Sequence, residues 1–514
     1  MSEGTLRQLI NDRLEKLKIL IENGKDPFLI MNYQSTNEIN EILTEFEKKV
    51  EKGQHTNKFA SVAGRVLAIR RTGKIIFADI HDFSGKIQIV FSLVDFEDFE
   101  DFNKILDPGD ILGIEGEIFA TKKGELSILV KKGVFLSKCL RPLPKLWTGL
   151  KDTDKRYRKR YLDFILNEKV MKNFKIIVKC KQLIRDYLNK EGYIEIETPI
   201  LQPLYGGAFA NPFTTFHQDL NETLYLRIAP ELYLKRLIVG GFSKVYEFAS
   251  CFRNESIDST HNPEFSQVEI YIAYGNANTV IELAENVYNH VVKTLFDSEK
   301  IEFKDKKIDF STPWKRISMY DAIMEYGGPD LNSKTSDEIV EYASDLAPKM
   351  KFSLAGEAIE FLFDYYVKEN LNDPTFITDF PADISPLAKL KEPNSKFADR
   401  FELYIGNLEC GNGFSELNNP IQQYKRFSEQ EQIRENLGKE GLEYQPMDRD
   451  YVRALEYGMP PAGGIGLGLG RFFMLLTNNE SLREVIAFPI LRTIKKKEIK
   501  AVPDYFPDCL DWYP

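Results

Sequence analysis

The chain has 514 residues, of which 43% are hydrophobic and 28% are charged, and its formal net charge is −10. This length suits about two or three domains with a large buried core, and the composition is ordinary for a soluble globular protein. The sequence contains no run of about eighteen uncharged apolar residues, which argues against a membrane-spanning helix. The charged N-terminal stretch has no signal-peptide core, so we expect a cytoplasmic protein that does not bind a membrane.

The cysteines and histidines form no metal-binding or disulfide pattern. Five cysteines lie far apart without a Cys-x-x-Cys pair, and the five histidines are scattered. This pattern favours neither a zinc site nor a disulfide framework, so any metal is expected to be a hard ion held by carboxylates and phosphates. The net negative charge argues against a nucleic-acid binder, but local basic clusters keep that function open. These clusters lie at residues 65–74, 151–160 and 495–497.

The first predicted elements are two helices. Apolar residues recur at three- and four-residue spacing over residues 5–22, which predicts an amphipathic helix, and Asn23-Gly24 is a stop signal. The apolar face of this helix consists of Leu6, Ile10, Leu14, Leu17 and Ile21. A second, polar helix is expected over residues 36–52, and we place an N-terminal helical extension at residues 1–57.

From residue 59 the pattern changes to short strands. Five β-rich runs are separated by glycine-containing turns, and an acidic helix over residues 94–105 follows the third run. This is the order of an OB-fold barrel, which binds single-stranded nucleic acid through stacked aromatic rings and a basic groove; a generic small β-barrel is the alternative. The runs are 59–69, 74–80, 86–91, 110–119 and 125–132, within a domain at 58–138.

The rest of the chain is α+β. The proline-rich segment 140–147 indicates a linker at 139–153, and a larger domain follows at 154–514. A helix is predicted over 168–190 and a strand over 193–196, and residues 313–400 resemble a helical insertion. The apolar side of that helix carries Val170, Phe174, Ile177, Leu183, Ile184 and Tyr187. Further strand-rich segments lie at 223–229, 243–251, 264–273, 401–410 and 483–490.

Two of the three features that attract attention lie early in this domain. The first is GYIEIETPIL at 192–201, a helix–strand corner whose simplest role is packing. The second is YEFASCFRNESIDSTHNPEFSQVEIY at 246–271, which predicts two antiparallel strands joined by a polar loop. In this loop the guanidinium of Arg253 suits a phosphate and the ring of Phe265 suits a base, although an ordinary exposed hairpin is the alternative.

The third feature is GGIGLGLGRFFMLLTNN at 463–479. Glycine at every second position of a strand leaves room for another group to approach closely, and a glycine-rich turn that leads into a helix is a ready anion site. The run lacks the lysine and the hydroxyl of a P-loop, and a buried strand packed under a helix is the alternative.

Together, and in this order, the three features resemble motifs 1, 2 and 3 of the class II aminoacyl-tRNA synthetases. Several phrases resemble the lysine-specific members of the class: GGAFANPF (206–213), APELYLKR (229–236), RNESIDSTHNPEF (253–265), SPLAK (385–389), FELYIGNLECGNGFSELNNP (401–420) and ALEYGMPPAGGIGLGLGRFFMLL (454–476). With the barrel, the resemblance extends from residue 58 over nearly the whole remaining chain. It implies a five-stranded OB-fold barrel, a catalytic domain built on an antiparallel sheet flanked by helices, and ATP-dependent attachment of L-lysine to tRNA(Lys).

The resemblance also implies residues that bind ATP. Arg253 would bind the α-phosphate and the lysine carboxylate, and Arg471 would face adenine and the γ-phosphate, so these two are the expected catalytic residues. Glu402 and Glu409 resemble the family's Mg²⁺ ligands, and two carboxylates with phosphates suffice for such an ion. The other contacts to ATP would come from Glu255, His261, Asn262, Glu402 and Phe265, whose ring would stack on adenine.

The same resemblance implies a lysine pocket in which Glu231 and Glu416 meet the ε-ammonium. Two bare carboxylates in an enclosed pocket repel each other and are costly to bury unless a cation joins them, so this pair would select lysine over neutral analogues. The other contacts to lysine would come from Gly206, Arg253, Glu269, Tyr271, Asn412 and Phe414, with Glu269 and the Gly206 backbone at the α-amino group.

In the barrel, the resemblance implies an anticodon site. Phe77 would stack on a base, and Arg70 and Gln88 would bind base edges of a uridine-rich anticodon. Motif 1 implies a homodimer with the helix predicted over 168–190 at its interface, although the apolar face of this helix also suits the protein's own core.

Three positions depart from the family's pattern. Gly470 stands where an acid usually precedes the motif 3 arginine, and if that acid capped the helix its loss costs about 0.5–2 kcal/mol. Asn211 replaces a usual arginine and Asn419 a usual aspartate. None of these changes affects Glu231 or Glu416.

Three other functions stay open from the sequence. An aspartyl- or asparaginyl-type synthetase shares the barrel and the three motifs, but the pair Glu231 and Glu416 disfavours it. A related ligase that lysylates a protein would lack the barrel. A non-catalytic RNA-binding paralogue would have lost Arg253 and Arg471, both of which are present.

Overall fold

The computed structural model describes residues 3–144, 150–438 and 444–492. The chain divides into two compact units, one that covers the N-terminal part to Arg156 together with Arg492, and one that spans Tyr157–Leu491. None of the helices in the described ranges is long and apolar enough to cross a membrane. The basic cluster at 495–497 and parts of the predicted linker and of the domain placed at 154–514 lie outside the described residues.

The first unit begins with two helices, α1 (Glu3–Glu22) and α2 (Ile39–Phe46). The predicted helix over 5–22 is confirmed, but Leu20 is buried where the prediction placed Ile21, which is only half-buried. The second helix is shorter than the predicted 36–52, because the backbone N–H groups of Thr36 and Asn37 bond to the carbonyl of Ser61 in the barrel instead.

Five strands of this unit close into a barrel whose neighbour order is β1-β2-β3-β5-β4, which confirms the predicted OB-fold. Alternation puts Ile76, Ala78 and Ile80 in the interior and leaves Phe77 on the outer surface. Helix α3 begins later than the predicted residue 94, because the residues before it form turns. The elements are β1 (His55–Thr72), β2 (Ile75–His81), β3 (Lys86–Ser92), α3 (Phe99–Ile105), β4 (Ile111–Ala120) and β5 (Leu126–Ser137).

The larger unit is built on an eight-stranded sheet. The sheet is antiparallel except for its two outermost pairs, which are parallel. The strands are β6 (Ile194–Glu195), β7 (Leu201–Gln202), β8 (Phe213–His217), β9 (Glu222–Leu226), β10 (Lys244–Phe252), β11 (Glu264–Ala273), β12 (Lys300–Phe303), β13 (Lys306–Asp309), β14 (Lys315–Ser318), β15 (Thr375–Thr378), β16 (Arg400–Ile405), β17 (Leu408–Ser415) and β18 (Ala462–Gly468). The order in the sheet is β14-β15-β16-β17-β18-β11-β10-β6, while β7, β9 and β8 form a small sheet and β12 and β13 a hairpin.

Helices flank this sheet. They are α4 (Thr153–Arg158), α5 (Arg160–Leu166), α6 (Glu168–Lys190), α7 (Glu231–Val239), α8 (Ala277–Phe296), α9 (Met319–Glu325), α10 (Ser336–Leu346), α11 (Ala355–Tyr366), α12 (Pro420–Leu437), α13 (Arg449–Glu456), α14 (Leu469–Thr477) and α15 (Leu482–Val485). Helix α6 has the predicted bounds. Its apolar residues Ile177, Leu183 and Ile184 belong to the main core cluster, so the interpretation of this face as core is the correct one.

The strand-rich segment predicted at 401–410 is confirmed; it falls on the hairpin of β16 and β17, which turns at Gly406 and Asn407 with φ of 58° and 66°. Three other predictions about this unit are wrong in detail. The segment 483–490 contains no described strand, because it overlaps the end of the short helix α15. Residues 313–400 are not wholly helical, because β14 and β15 add to the edge of the main sheet. The strand predicted over 193–196 is reduced to the two residues of β6.

Candidate active site

A cavity of about 1070 Å³ lies over the part of the sheet formed by β16, β17, β18 and β11. Its volume is at the upper end of the range for small-molecule binding sites. Gly206 and Glu416 are not among the residues that line it, although Gly207 and Gly464 are. The structure brings the other predicted ATP- and lysine-site residues to its walls: Glu231, Arg253, Glu255, His261, Asn262, Phe265, Glu269, Tyr271, Glu402, Glu409, Asn412, Phe414 and Arg471.

The glycine-rich run forms β18, in the middle of the cavity floor. In the sheet register, Gly466 lies between Glu269 on β11 and Asn412 on β17. A Cβ atom at Gly466 would lie 2.8 Å from Oε1 of Glu269, and one at Gly464 would overlap Oε1 of Glu416. At Gly464 and Gly466 the neighbouring carboxylates therefore occupy the space that a side chain would need.

The polar loop between β10 and β11 borders the cavity as predicted. The guanidinium of Arg253 lies 5.0 Å from the ring centre of Phe265. Within the described part of the chain, Nε of Arg253 and Oδ1 of Asn262 are buried without a hydrogen-bond partner, whereas Glu255 is exposed. A buried donor left unpaired is costly, so the Arg253 guanidinium is well suited to an anion in the cavity.

A chain of polar contacts crosses from this loop to α14. Asp258 Oδ2 lies 2.8 Å from Nδ1 of His261, and Arg471 donates from Nη2 to His261 Nε2 at 3.3 Å. Burial alone would raise the pKa of Asp258, but hydrogen bonds from the Thr260 backbone and from His261 lower it to about 2. The carboxylate of Asp258 is therefore ionised at neutral pH and holds the His261 ring in place.

Glu402 and Glu409 are two carboxylates whose charges repel each other. Glu402 accepts hydrogen bonds from Arg400 at 2.7 Å and from the Tyr404 hydroxyl at 2.8 Å, and Arg471 donates to Oε2 of Glu409 at 3.1 Å. Burial and the charge of Glu409 raise the pKa of Glu402 to about 8. Burial alone would raise the pKa of Glu409 as well, but Arg471 holds it below its ordinary value. Such a pair is suited to a bound cation, which would relieve the repulsion between the two charges.

These carboxylates do not form a complete metal site by themselves. Among the residues that the structure describes, no group of three or more histidine, cysteine, aspartate or glutamate side chains is placed to hold a metal ion. The two oxygen donors fit a hard ion whose other ligands are phosphates and water, and they do not fit zinc, which prefers four protein ligands from nitrogen and sulfur in its structural sites.

The predicted lysine pocket contains a cation that the sequence prediction missed. Nζ of Lys235 lies 2.5 Å from Oε1 of Glu231 and 2.5 Å from Oε2 of Glu416, and its side chain is fully buried. The premise that these two carboxylates are bare is therefore wrong. Lys235 follows Glu231 by four residues on α7, a spacing that places two side chains side by side on a helix, and this was the available signal in the sequence.

The charges at this end of the cavity shift one another's pKa. Burial by itself lowers the pKa of Lys235, but the two glutamates more than offset it, so the pKa of Lys235 lies above its ordinary value. Burial raises the pKa of Glu416 to about 8, and burial with the nearby charge of Glu231 raises that of Glu269 to about 7. The Tyr271 hydroxyl donates to Oε2 of Glu269 at 3.0 Å.

Two further residues at the site were not predicted. Gln445 is buried and accepts a hydrogen bond from the backbone N–H of Gly207 at 3.4 Å, so it holds the glycine pair that starts the GGAFANPF phrase. Arg400 orients Glu402, as described above. Gly206 packs so closely against Leu232 that a Cβ atom at Gly206 would lie 2.8 Å from the Leu232 side chain.

The structure also explains two of the departures from the family's pattern. The N-cap of α14 is Gly468, and Gly470 is the second residue of the helix, so an N-cap role for position 470 is wrong. Asn419 caps α12, because its side chain accepts from the N–H groups of Ile421 and Gln422. An aspartate at position 419 would make the same bonds, which accounts for the exchange.

In the first unit, two of the predicted anticodon residues, Arg70 and Phe77, reach the outer surface of the barrel, and the third, Gln88, is buried on the neighbouring strand. Arg70 and Phe77 face each other in the β1–β2 register, and the guanidinium lies 5.7 Å from the ring centre. Gln88 is buried next to them on β3, and its Oε1 accepts from the Ser127 hydroxyl at 3.1 Å. Arg70 is exposed and Phe77 half-buried, so this surface offers a ring and a cation to solvent.

The fold and these sites define a class of protein. The model of "tRNA synthetases class II (D, K and N)" matches residues 152–492, and that of the "OB-fold nucleic acid binding domain" matches residues 60–135. The first match covers well over half of the chain. The chain belongs to the class II tRNA synthetase family of the D, K and N type.

Individual proteins within this family are similar to the chain over nearly its whole length. The lysine–tRNA ligase of Clostridium tetani is 43% identical over 497 residues, which cover 95% of this chain and 97% of that protein. The lysine–tRNA ligase of Syntrophomonas wolfei is 45% identical over 497 residues, covering 96% and 98%. Lysine–tRNA ligase 2 of Methanosarcina mazei is 45% identical over 487 residues, covering 94% of each chain.

Proposed function

We propose that this chain is an ATP-dependent lysine–tRNA ligase that activates L-lysine as lysyl-adenylate and then transfers lysine to the 3′ end of tRNA(Lys). The observation that carries the proposal is the acidic end of the cavity. Glu231, Glu269 and Glu416 outnumber Lys235, the cation that lies between two of them, and Oε1 of Glu416 has no hydrogen-bond partner in the described part of the chain. A substrate ammonium supplies the missing positive charge, whereas an aspartate side chain would add a further negative one.

The proposed activation step uses ATP as the second substrate. An oxygen of the lysine carboxylate attacks the α-phosphorus, the bond from that phosphorus to the bridging oxygen breaks, and pyrophosphate leaves with the electron pair. Arg253 would bind the α-phosphate and the lysine carboxylate, and Arg471 the γ-phosphate. Catalysis then consists of positioning and charge neutralisation, with no protein nucleophile. The unpartnered Nε of Arg253 supports this role.

We place Mg²⁺ at Glu402 and Glu409 when ATP is bound. The ion would neutralise phosphate charge. Arg400 and Tyr404 keep Glu402 in one orientation through hydrogen bonds to its two oxygens. The adenine ring would stack on Phe265, and Glu255, His261 and Asn262 would complete the nucleotide site.

The proposed tRNA contact in the first unit is the surface of Arg70, Phe77 and Gln88. Phe77 would stack on an anticodon base and Arg70 would bind a base edge. The side-chain N–H₂ of Gln88 is available to donate to a uracil carbonyl, because its hydrogen bond to Ser127 uses only Oε1.

We further propose that the protein acts in the cytoplasm as a homodimer formed around motif 1. Large apolar side chains are exposed near the sheet edge at β6, among them Val178 (67%), Ile194 (50%) and Leu201 (48%). Apolar surface of this kind at the end of a sheet favours association with a second copy.

The test is ATP–pyrophosphate exchange by the purified chain with lysine, aspartate and asparagine in parallel, followed by charging of tRNA(Lys). We expect exchange with lysine alone and transfer of lysine to tRNA. Exchange with asparagine or aspartate but not lysine would refute the proposed specificity. Exchange without transfer to tRNA would refute the ligase function and leave the activation step standing.

A further inference from the structure

Lys235 is held where it controls the charge of the proposed lysine pocket. Its ammonium contacts one oxygen of Glu231 and one oxygen of Glu416, both at 2.5 Å, and lies 5.0 Å from the ring centre of Phe414. Each glutamate therefore has one oxygen engaged by Lys235. Glu231 lines the cavity directly, and the second oxygen of Glu416 lies against Gly464, which also lines it.

Protons can also bind the oxygens of Glu231 and Glu416 that Lys235 does not contact. A buried carboxylate favours its neutral form, and a neutral carboxyl group does not attract an ammonium ion. Lysine and protons therefore compete for the same two groups. The positive charge of Lys235 opposes protonation, because it lowers the pKa of both Glu231 and Glu416 against the effect of burial.

We propose that Lys235 is a specificity-determining positioning residue: its ammonium holds one oxygen of Glu231 and of Glu416, opposes protonation of the pair, and presents the other oxygens to the substrate ammonium. The inference rests on the proposed lysine specificity and concerns a residue that does not itself touch the substrate. The other charged or titratable groups that face this pair are Glu269 and Tyr271 from β11, Tyr451 from α13 and Arg400 from β16.

The substitution Lys235→Met removes the charge and retains the apolar stem. We expect kcat/KM for lysine in ATP–pyrophosphate exchange to fall about tenfold or more at pH 7, because each unit by which the carboxylate pKa rises makes protons tenfold stronger competitors. The loss should shrink as the pH is raised from about 7 to about 9, while KM for ATP changes less than about twofold. The measurement is kcat/KM for lysine against pH in the full-length variant and the parent protein.

A purely structural role for Lys235 predicts a different result. In that case the loss in kcat/KM is the same at every pH and affects ATP and lysine alike, and either this outcome or an unchanged kcat/KM overturns the inference. If Lys235→Met does not fold, Lys235→Gln replaces it, because the amide retains two hydrogen donors for the glutamates without the charge. It should show the same pH-dependent loss.

The matched control is Lys293→Met, which removes a surface lysine of α8 from its ion pair with Glu299 in the same unit. Its kcat/KM should equal that of the parent at each pH. A parent protein that shows no exchange with lysine contradicts the proposed function itself. A parent that is active, together with a Lys235 variant that is unchanged, contradicts only the role of Lys235.

Discussion

Both units of this protein bury a lysine between two carboxylates, and the two arrangements differ in one respect. In the first unit, Nζ of Lys138 donates to Asp107 at 2.7 Å, to Asp110 at 2.8 Å and to the carbonyl of Ile105 at 2.7 Å. Asp110 uses its other oxygen to accept from the backbone N–H of Cys139 at 2.8 Å. Both oxygens of the buried Asp110 therefore have partners, so this cluster is complete without a ligand.

In the larger unit, Nζ of Lys235 lies 2.5 Å from Oε1 of Glu231 and 2.5 Å from Oε2 of Glu416. Among the described residues, Oε2 of Glu416 has this ion pair without a hydrogen bond, and Oε1 has no hydrogen-bond partner. This oxygen lies against Gly464 at the cavity wall. A buried acceptor without a partner costs stability, and a bound cation removes that cost. The two clusters therefore differ in the number of hydrogen-bond partners of their carboxylate oxygens, and not in the presence of buried charge. This number separates a structural ion cluster from a binding site.

The largest effect is expected on stability, from a substitution of Lys138 in the complete cluster of the first unit. Lys138→Met leaves the buried Asp110 without its cation, while the half-buried Asp107 keeps Lys16, so the free energy of unfolding of the barrel unit should fall by about 3–5 kcal/mol. Urea unfolding checks this, with Lys132→Met, which removes a surface ion pair of the same unit, as the control that changes little. KM for lysine should not change. A change in KM for lysine would mean that Lys138 also affects the substrate site, which contradicts the difference drawn between Lys138 and Lys235.

Glu416→Gln removes a charge from the incomplete cluster. We expect kcat/KM for lysine in exchange to fall about 100-fold or more, because the substrate ammonium loses a buried charged partner. The fall should be much smaller for the neutral isostere 6-hydroxynorleucine, which has no ammonium to pair. Parallel loss for both substrates would mean that Glu416 does not read the charge of the side chain.

Gly464→Ala tests the wall between the cavity and Glu416. The added methyl group would overlap Oε1 of Glu416 and displace it, so kcat/KM for lysine should fall by up to about 100-fold. Gly468→Ala is the matched control on the same strand, because a Cβ there meets only the carbonyl oxygen of Cys410 at 3.8 Å. Equal effects of the two substitutions would show that β18 tolerates no side chain at all, whatever lies beneath it.

Phe77→Ala removes the ring that the barrel offers to solvent. In the proposed function this ring contacts tRNA and takes no part in the activation of lysine. Loss of one stacked base costs about 1–3 kcal/mol, so kcat/KM for tRNA charging should fall while ATP–pyrophosphate exchange stays unchanged. Val94→Ala, at an exposed apolar residue of the same unit, is the control. A matching loss of exchange would place the effect of Phe77 outside anticodon binding.

The smallest expected effect is a difference in pH dependence of stability. Because the pKa of Glu416 is raised to about 8 and that of Glu269 to about 7, their contribution is fully present below the unfolded pKa and is lost as the pH rises through these values. The unfolding temperature of the larger unit should therefore fall by a few degrees, about 2–4 °C, between about pH 5 and pH 8.

The opposite sign applies to one carboxylate of the first unit, Asp107, whereas burial raises the pKa of its neighbour Asp110. The pKa of Asp107 is lowered, since Lys138 and Lys16 outweigh burial, so its contribution is lost only as the pH falls below the ordinary aspartate range. Scanning calorimetry at several pH values, with and without saturating lysine, checks both statements. Lysine should flatten the pH dependence of the larger unit, and a dependence that lysine leaves unaltered would contradict the placement of its ammonium near Glu416.

Much of the fold was predictable, because local patterns dominate where one face of an element is buried. Alternation over residues 74–80 and 86–91 identified β2 and β3, and the apolar stripe of residues 168–190 identified α6. The failures occurred where alternation does not distinguish alternatives. At 401–410 the pattern correctly predicted strand, but it did not show the turn at Gly406 and Asn407 that divides the segment into β16 and β17. At 482–485, a short apolar segment suits a helix as well as a strand.

By itself, the sequence determined the class of the protein and the three motifs, and all of the ATP- and lysine-site residues that it predicted except Gly206 and Glu416 line the cavity, because the chemistry expected there requires particular side chains. Many other lining residues, such as Arg400 and Gln445, were not predicted. Only the tertiary structure decided how these residues are paired. It placed Lys235 between Glu231 and Glu416, set Arg471 against Glu409, and left Oε1 of Glu416 without a partner. Glu416 lies 181 positions from Lys235 along the chain (416 − 235), so no local pattern could pair them. Their contact depends on how α7 packs beside the end of β17, and that is a property of the folded sheet.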